Sequence, residues 1–171
     1  MKQWLFILFS TLLFANTPLP VPYVDVKGFS GLWYEVARTS NSYQKNCVAS
    51  SVEYELQKDS TYKVFNRCFE KVIGGDLIEY KGTAEPVNGN SMSKIDMTYF
   101  YIFTREYRVI HLEKDYSAAV VSDEEMDQVW VMSRKPKLPK RTLKKILAKL
   151  EKNMDVKRLI FTPQDKKGRY K

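Results

Sequence analysis

Between residues 48 and 134, apolar residues recur at every second position in short runs, and turn-forming residues end each run. This alternation constrains the fold more than any other feature, because a strand sends successive side chains to opposite faces and a half-buried sheet therefore reads with period two. Residues 48–56 set Val52, Tyr54 and Leu56 against Glu53 and Glu55. Lys58-Asp59-Ser60-Thr61 turns the chain, and residues 62–69 return as the next strand. Gly74-Gly75-Asp76 turns again into residues 77–85, and Pro86-Val87-Asn88-Gly89-Asn90 closes that hairpin with residues suited to turns. Residues 93–99, 107–112, 117–122 and 128–134 supply four more runs. With residues 32–39 near the start, the count reaches about eight strands.

After Pro136 the period changes to 3.6. Leu143, Ile146, Leu147, Leu150 and Met154 fall on one helical face, while Lys140, Lys144, Lys145, Lys149 and Lys152 lie largely elsewhere. Pro139 suits a first helical turn, so the spacing predicts one amphipathic helix over about 139–153. An antiparallel meander must protect its edge strands, and closure into a barrel abolishes them. Eight strands also enclose just enough space for one small ligand. The fold expected is all-β, an eight-stranded antiparallel up-and-down barrel with one C-terminal helix packed outside. A β-sandwich is the other architecture compatible with this pattern. A chain of 171 residues fits a single domain.

Composition narrows the function. Aromatic residues make up 13% of the chain, which is rich for a sequence that stays unfolded. The chain has one His and two Cys. It therefore lacks a His-rich metal site and a CxxC pair, and His111 alone is left for a nucleophile–His dyad. Neither metal nor cofactor is expected. The net charge of +8 points to nucleic acid only until it is located. Residues 134–171 hold 15 Lys/Arg against 3 Asp/Glu, which leaves the first 133 residues at a net charge of −4. The basic character belongs to a C-terminal segment on a mildly acidic body.

The N-terminus pairs Lys2 with an apolar run over residues 4–15, broken by Ser10 and Thr11, and then three prolines at positions 18, 20 and 22. Twelve residues fall short of the ~20 that span a bilayer. Residues 1–15 read as a secretory signal, with an uncleaved anchor or a buried first segment as the alternatives. Residues 16–27 read as an extended lead-in and residues 28–171 as the domain. With no Cys near the cleavage point, a lipid anchor is not expected, and the protein is expected in a periplasm or secreted. An oxidising compartment favours pairing of Cys47 with Cys68, while two buried free thiols are the alternative. Such a bridge closes a loop worth about 3 kcal/mol on the chain-entropy account.

Gly31-Leu32-Trp33-Tyr34-Glu35-Val36-Ala37-Arg38 resembles the Gly-x-Trp signature that opens the first strand of lipocalins. Asp115-Tyr116-Ser117-Ala118-Ala119-Val120-Val121 is similar to that family's Asp-Tyr segment. Val129-Trp130-Val131-Met132-Ser133-Arg134-Lys135-Pro136 is similar to the Trp–x–x–Ser–Arg–x–Pro stretch that ends that family's strand G. Phe161-Thr162-Pro163-Gln164 fits as well. The resemblance covers about residues 28–164, and three ordered motifs make it specific. It is nearest to the bacterial lipocalin and apolipoprotein D branch. It implies structural roles for Gly31, Trp33, Asp115, Tyr116 and Arg134, with Trp33 plugging a closed barrel end and the Arg134 guanidinium packed across its indole.

If Trp33 and Arg134 point inward, alternation assigns the lining. It comprises Val52, Tyr54 and Leu56; Val64 and Asn66, then Cys68; Tyr80, Gly82 and Ala84; Ile95 and Met97; Tyr107, Val109 and His111; Ala118 and Val120; and Trp130 with Met132. One bulge flips a strand, so these assignments hold strand by strand. His111 is expected as a satisfied interior imidazole. The lining is apolar and aromatic with few polar groups, which suits an acyl chain below a polar head.

The function expected is that of a non-enzymatic lipid-binding or transport protein that holds a fatty acid, lysophospholipid or similar ligand. The alternative is an isomerase or lipid-modifying hydrolase on the same fold, using His111 or a Tyr. Partners expected are that small hydrophobic ligand and, through the Lys-rich face, peripheral contact with an anionic membrane. Nucleic acid is not expected, and the chain is a monomer or a homodimer.

Overall fold

In the computed structural model, which describes residues 17–165, each alternating run forms a strand. The strands are β1 (Gly31–Arg38), β2 (Cys47–Leu56), β3 (Tyr62–Glu70), β4 (Leu77–Asn88), β5 (Ser91–Tyr99), β6 (Phe103–Leu112), β7 (Ala118–Ser122) and β8 (Val129–Ser133). Each pairs antiparallel with its successor, and β1 pairs with both β2 and β8, which closes an eight-stranded barrel. A ninth strand, β9 (Ile160–Phe161), joins β1 beside Ala37 and Arg38, beyond the point where β2 stops pairing with it. The stretch after β9 continues the seam. Thr162 N–H donates to the Val36 carbonyl at 3.0 Å, and Ala49 N–H donates to the Pro163 carbonyl at 2.7 Å.

Two hairpins differ in detail from the sequence expectation. β4 runs through Pro86 to Asn88, and only Gly89 and Asn90 make the turn, with Gly89 at φ 58°. Pro86 is tolerated because the β4–β5 register slips between Pro86 and Asn88. β6 begins at Phe103, four residues earlier than expected. On β2 the register shifts between Val48 and Ser51, and the disulfide Cys47–Cys68 ties β2 to β3 there, with Cα atoms 5.4 Å apart.

Apolar side chains fill two layers. Inside the barrel lie Trp33, Val52, Tyr54, Tyr62, Val64, Ala84, Ile95, Met97, Tyr107, Val109 and Met132, all buried. Outside it, Val129 and Val131 of β8 meet helix α2 (Lys140–Leu150) through Ile146 and Leu150, with Met154 beyond its end. Every residue of β7 is buried, because the barrel interior covers one face and α2 the other.

This double coverage hides the parity of β7 in the sequence. Ala119 and Val121 face inward, opposite Met132 and Trp130, whereas Ala118 and Val120 lie in the helix-side layer. Val120 and Ala118 are therefore corrected to the outer layer. His111 is corrected likewise. A bulge between Val109 and His111 inserts Ile110, so His111 pairs with Val120 on the outside while Leu112 returns to the interior.

The apolar run over residues 1–15, expected as an export signal, lies outside the described residues. Residues 17–25, within the expected lead-in, lie across one end of the barrel. Val21 N–H donates to the Val109 carbonyl at 2.8 Å and Met92 N–H to the Val24 carbonyl at 3.0 Å. The single turn α1 (Val26–Phe29) follows, capped by the Asp25 carboxylate, which accepts from Gly28 N–H at 2.6 Å. Phe29 enters the core from this turn.

Candidate functional site

The covered end of the barrel is a plug of aromatic rings with its polar groups joined. Trp33 is fully buried, and its indole N–H donates to the Phe29 carbonyl at 2.8 Å. The Arg134 guanidinium carbon stands 3.8 Å from the Trp33 ring centre. Arg134 donates to the carbonyls of Leu32 at 2.9 Å and Gly28 at 2.7 Å. Burial lowers the Arg134 pKa to about 10, with Tyr62 and Tyr54 opposing the shift, so the group stays charged at neutral pH. Phe29 meets Tyr54 at 5.2 Å, and Tyr54 meets Tyr62 at 5.4 Å. The Tyr62 hydroxyl donates to the Val26 carbonyl.

The remaining signature residues sit around this plug. Gly31 adopts φ 88°, a left-handed conformation that side chains resist. The Tyr116 hydroxyl accepts from Asp25 N–H at 2.9 Å, and its ring leaves no space for a Cβ at Gly28. The Asp115 carboxylate accepts from Ser117 N–H at 3.1 Å and turns the chain into β7; hydrogen bonding from the Ser117 side chain, and then from its N–H, holds the Asp115 pKa below the usual carboxylate range.

Above the plug the barrel is hollow. A cavity of about 600 Å³ opens between the loops that join β1 to β2, β5 to β6 and β7 to β8. Val52, Tyr54, Met97 and Met132 line its apolar part, and Asn66, Tyr80, Tyr107 and Trp130 its walls. The Tyr107 and Trp130 rings meet edge to face at 5.4 Å. These eight all belong to the set expected from parity. Val64, Ile95 and Val109 also point inward but lie packed in the barrel core rather than along the cavity. His111 and Val120 are outside, under α2, for the reasons given above.

Two polar groups interrupt the apolar wall. Asn66 Nδ2 donates to the Tyr99 hydroxyl at 2.6 Å. Across the cavity, Gln44 Nε2 donates to Glu35 Oε2 at 2.6 Å, and the Trp130 indole N–H donates to Gln44 Oε1 at 3.0 Å. The other Glu35 oxygen receives Arg38 Nη1 at 2.8 Å and the Thr162 hydroxyl. This buried network pins the β1–β2 loop and the segment after β9 to one wall. Burial pushes the hydroxyl pKa values of Tyr54, Tyr99 and Tyr107 upward, so these phenols stay protonated. Ser51 Oγ lies buried on this wall without a hydrogen-bond partner.

Sequence reasoning missed the mouth. Tyr43, Phe100, Ile102, Phe103, Arg105 and Gln128 all border the cavity. Tyr99 continues the inward parity of Ile95 and Met97 and was within reach of the pattern. Gln44 and Tyr43 sit in a loop, where no periodicity marks them.

His111 has a different occupation. Its Nε2 lies 2.9 Å from Glu113 Oε1 and its Nδ1 lies 3.0 Å from Lys149 Nζ, which joins β6 to α2. Burial lowers its pKa, the Glu113 hydrogen bond opposes this, and Lys149 adds to the lowering.

Comparison with known proteins agrees with this architecture. A family model described as a lipocalin-like domain matches residues 24–164. The Vibrio cholerae protein named outer membrane lipoprotein Blc is 31% identical over 147 residues, 85% of each chain. Bovine apolipoprotein D is 28% identical over 151 residues, covering 82% of this chain and 77% of that one. Among solved structures, insecticyanin from the tobacco hornworm Manduca sexta superposes with a TM-score of 0.71 at 17% identity, covering 88% and 86% of the two chains. That last likeness is one of fold.

Proposed function

The chain belongs to the lipocalin-like family, and we propose that it binds and carries a small hydrophobic ligand, a fatty acid or a lysophospholipid, unchanged. The observation that carries this reading is the cavity itself. It measures about 600 Å³, has an apolar floor, and bears polar groups on its walls and rim. Small-molecule sites are commonly about 300–1,000 Å³ and fix their ligands with a few placed polar groups. Burying an acyl chain contributes about 25 cal/mol per Å² removed from water, less the cost of ordering it.

The enzymatic alternative loses its main candidate, because His111 does not reach the cavity. The cavity tyrosines Tyr54, Tyr99 and Tyr107 have raised pKa values, the opposite of an activated base. The same proposal includes export of the protein, in keeping with relatives named as an outer membrane lipoprotein and apolipoprotein D. It also includes contact of the lysine-rich face with anionic lipid. That contact is narrowed to Lys140, Lys144 and Lys152, since Lys145 and Lys149 turn back to Glu113 and His111.

Native mass spectrometry of the purified protein, with extraction of what co-purifies, tests the ligand reading. Recovery of an acyl lipid, with quenching of Trp130 fluorescence on adding it back, is the expected result. An empty barrel that no fatty acid or lysophospholipid quenches contradicts it.

A further inference from the structure

The geometry points to the open rim as a lipid-docking surface: the tips of the β3–β4 and β5–β6 hairpins enter the headgroup layer of a zwitterionic bilayer. Ligand then passes between membrane and cavity without crossing water, a step that rests on the ligand reading above, whereas the docking contact does not.

Four observations carry this. First, large apolar side chains stand in solvent at these two tips. Val72 and Leu77 flank the β3–β4 turn, and Phe100, Tyr101 and Ile102 form the β5–β6 turn, where Tyr101 is 98% exposed. Both tips project from the same end of the barrel; β4 pairs with β5 only from Gly82, opposite Tyr99, so the β3–β4 tip reaches beyond the β5–β6 turn. Exposed apolar side chains gathered at one end of a fold mark an interaction surface.

Second, Phe100 and Tyr101 occupy consecutive left-handed positions, at φ 52° and 62°. Hairpin turns with two such residues favour Asn and Gly, which adopt that conformation freely, while bulky side chains resist it. Two aromatic rings at these positions run against local preference, and they project from the rim. Third, Phe100, Ile102 and Phe103 are exposed and also border the cavity, so apolar surface continues from the outside of the rim to the interior.

Fourth, charge selects the occupant. The β7–β8 loop, across the mouth from the β3–β4 tip, carries Asp123, Glu124, Glu125 and Asp127 and no Lys or Arg. Asp123, Glu124 and Asp127 pair with Arg105, Arg108 and Arg158, so this side of the mouth is polar and offers no basic patch to hold an anionic surface, and the barrel seats tilted, apolar tips down, on neutral headgroups. Projecting tips require no complementary pocket, and a fluid lipid layer accepts them. Tyrosine in particular favours the membrane–water boundary.

The test compares the wild-type chain with the double variant Val72→Asp and Tyr101→Asn, two positions that do not line the cavity. Asn tolerates the left-handed turn, and circular dichroism checks folding. The probe is co-flotation with phosphatidylcholine vesicles, read beside Trp130 quenching by lysophosphatidylcholine below its micelle concentration. The wild type is expected to float with neutral vesicles at low and high salt. The variant is expected to lose at least about tenfold in partitioning while its quenching curve is unchanged. Three results overturn the docking: equal flotation of both proteins, binding that needs anionic lipid and vanishes in salt, or rim-to-rim self-association of the wild type in place of flotation. Flotation without quenching instead overturns the ligand reading and leaves the docking standing.

Discussion

The two ends of the barrel are built on opposite principles. At the covered end, Trp33, Phe29, Tyr54 and Tyr62 pack ring against ring, and the Arg134 guanidinium and the Trp33 indole donate to nearby carbonyls. At the open end, apolar rings stand in water, Ser51 keeps a buried hydroxyl without a partner, and about 600 Å³ is left unfilled. The first end resembles the interior of any stable protein, where buried polar groups are paired and voids are few. The second forgoes that stabilisation and retains space. Stability and binding are therefore separable along the barrel axis, and mutations at the two ends should move different observables.

The largest effect belongs to the plug. Trp33→Ala is expected to lower unfolding stability by about 3–5 kcal/mol, since it deletes a fully buried indole and leaves Arg134 without its aromatic face. Urea denaturation measures it, and a loss below 1 kcal/mol, as an order-of-magnitude threshold, breaks the contrast between the ends. Next comes the disulfide that fastens β2 to β3. Replacing Cys47 and Cys68 by Ser is expected to cost about 3 kcal/mol. Ligand affinity in the folded protein should change much less, because neither Cys lines the cavity.

A third change reverses the pattern. Val52→Trp places a ring in the existing space, and the ligand Kd is expected to rise at least about tenfold, equal to about 1.4 kcal/mol. Urea stability should stay within about 1 kcal/mol, because the ring fills a void rather than a packed core. Equal losses in both observables would erase the separation.

The smallest effect is one of pH and lies outside the barrel. His111 has its pKa held below the usual 6.5 by burial and by Lys149, against the Glu113 hydrogen bond. The fold thus favours neutral imidazole, and the unfolded chain binds the proton more readily. That contribution is complete above about pH 6.5 and declines as pH falls towards the lower folded value. Urea midpoints at successive pH values below neutrality should fall for the wild type, and part of that fall should vanish in His111→Gln. Glu113, whose pKa is lowered by His111 and Lys145, loses its contribution in a more acidic window and so is distinguishable.

How legible these features were in the sequence depends on how far apart the interacting residues lie. The eight strands follow from alternation, and α2 follows from its apolar spacing. The inward set on β2, β3, β4, β5 and β8 follows too, because those strands keep their parity over the cavity. Parity failed where the backbone broke it, at the bulge that inserts Ile110 between Val109 and His111, and on β7, which is apolar on both faces. The early start of β6 was hidden because Phe100 and Tyr101 occupy a turn without turn chemistry. In the wall of Glu35, Arg38, Gln44 and Thr162, Thr162 meets Arg38 and Glu35 from 124 and 127 positions away, and no local pattern announces such a contact. The pairing of Trp33 with Arg134 was reached through family resemblance rather than through spacing.

One spectrum tests the separation of the two ends directly. In a nitrogen-15 correlation spectrum, the indole N–H groups of Trp33 and Trp130 report from the plug and the cavity wall respectively. On titration with lysophosphatidylcholine below its micelle concentration, the Trp130 signal should move to saturation while the Trp33 signal stays in place. Movement of Trp33 with Trp130 unmoved would contradict the account.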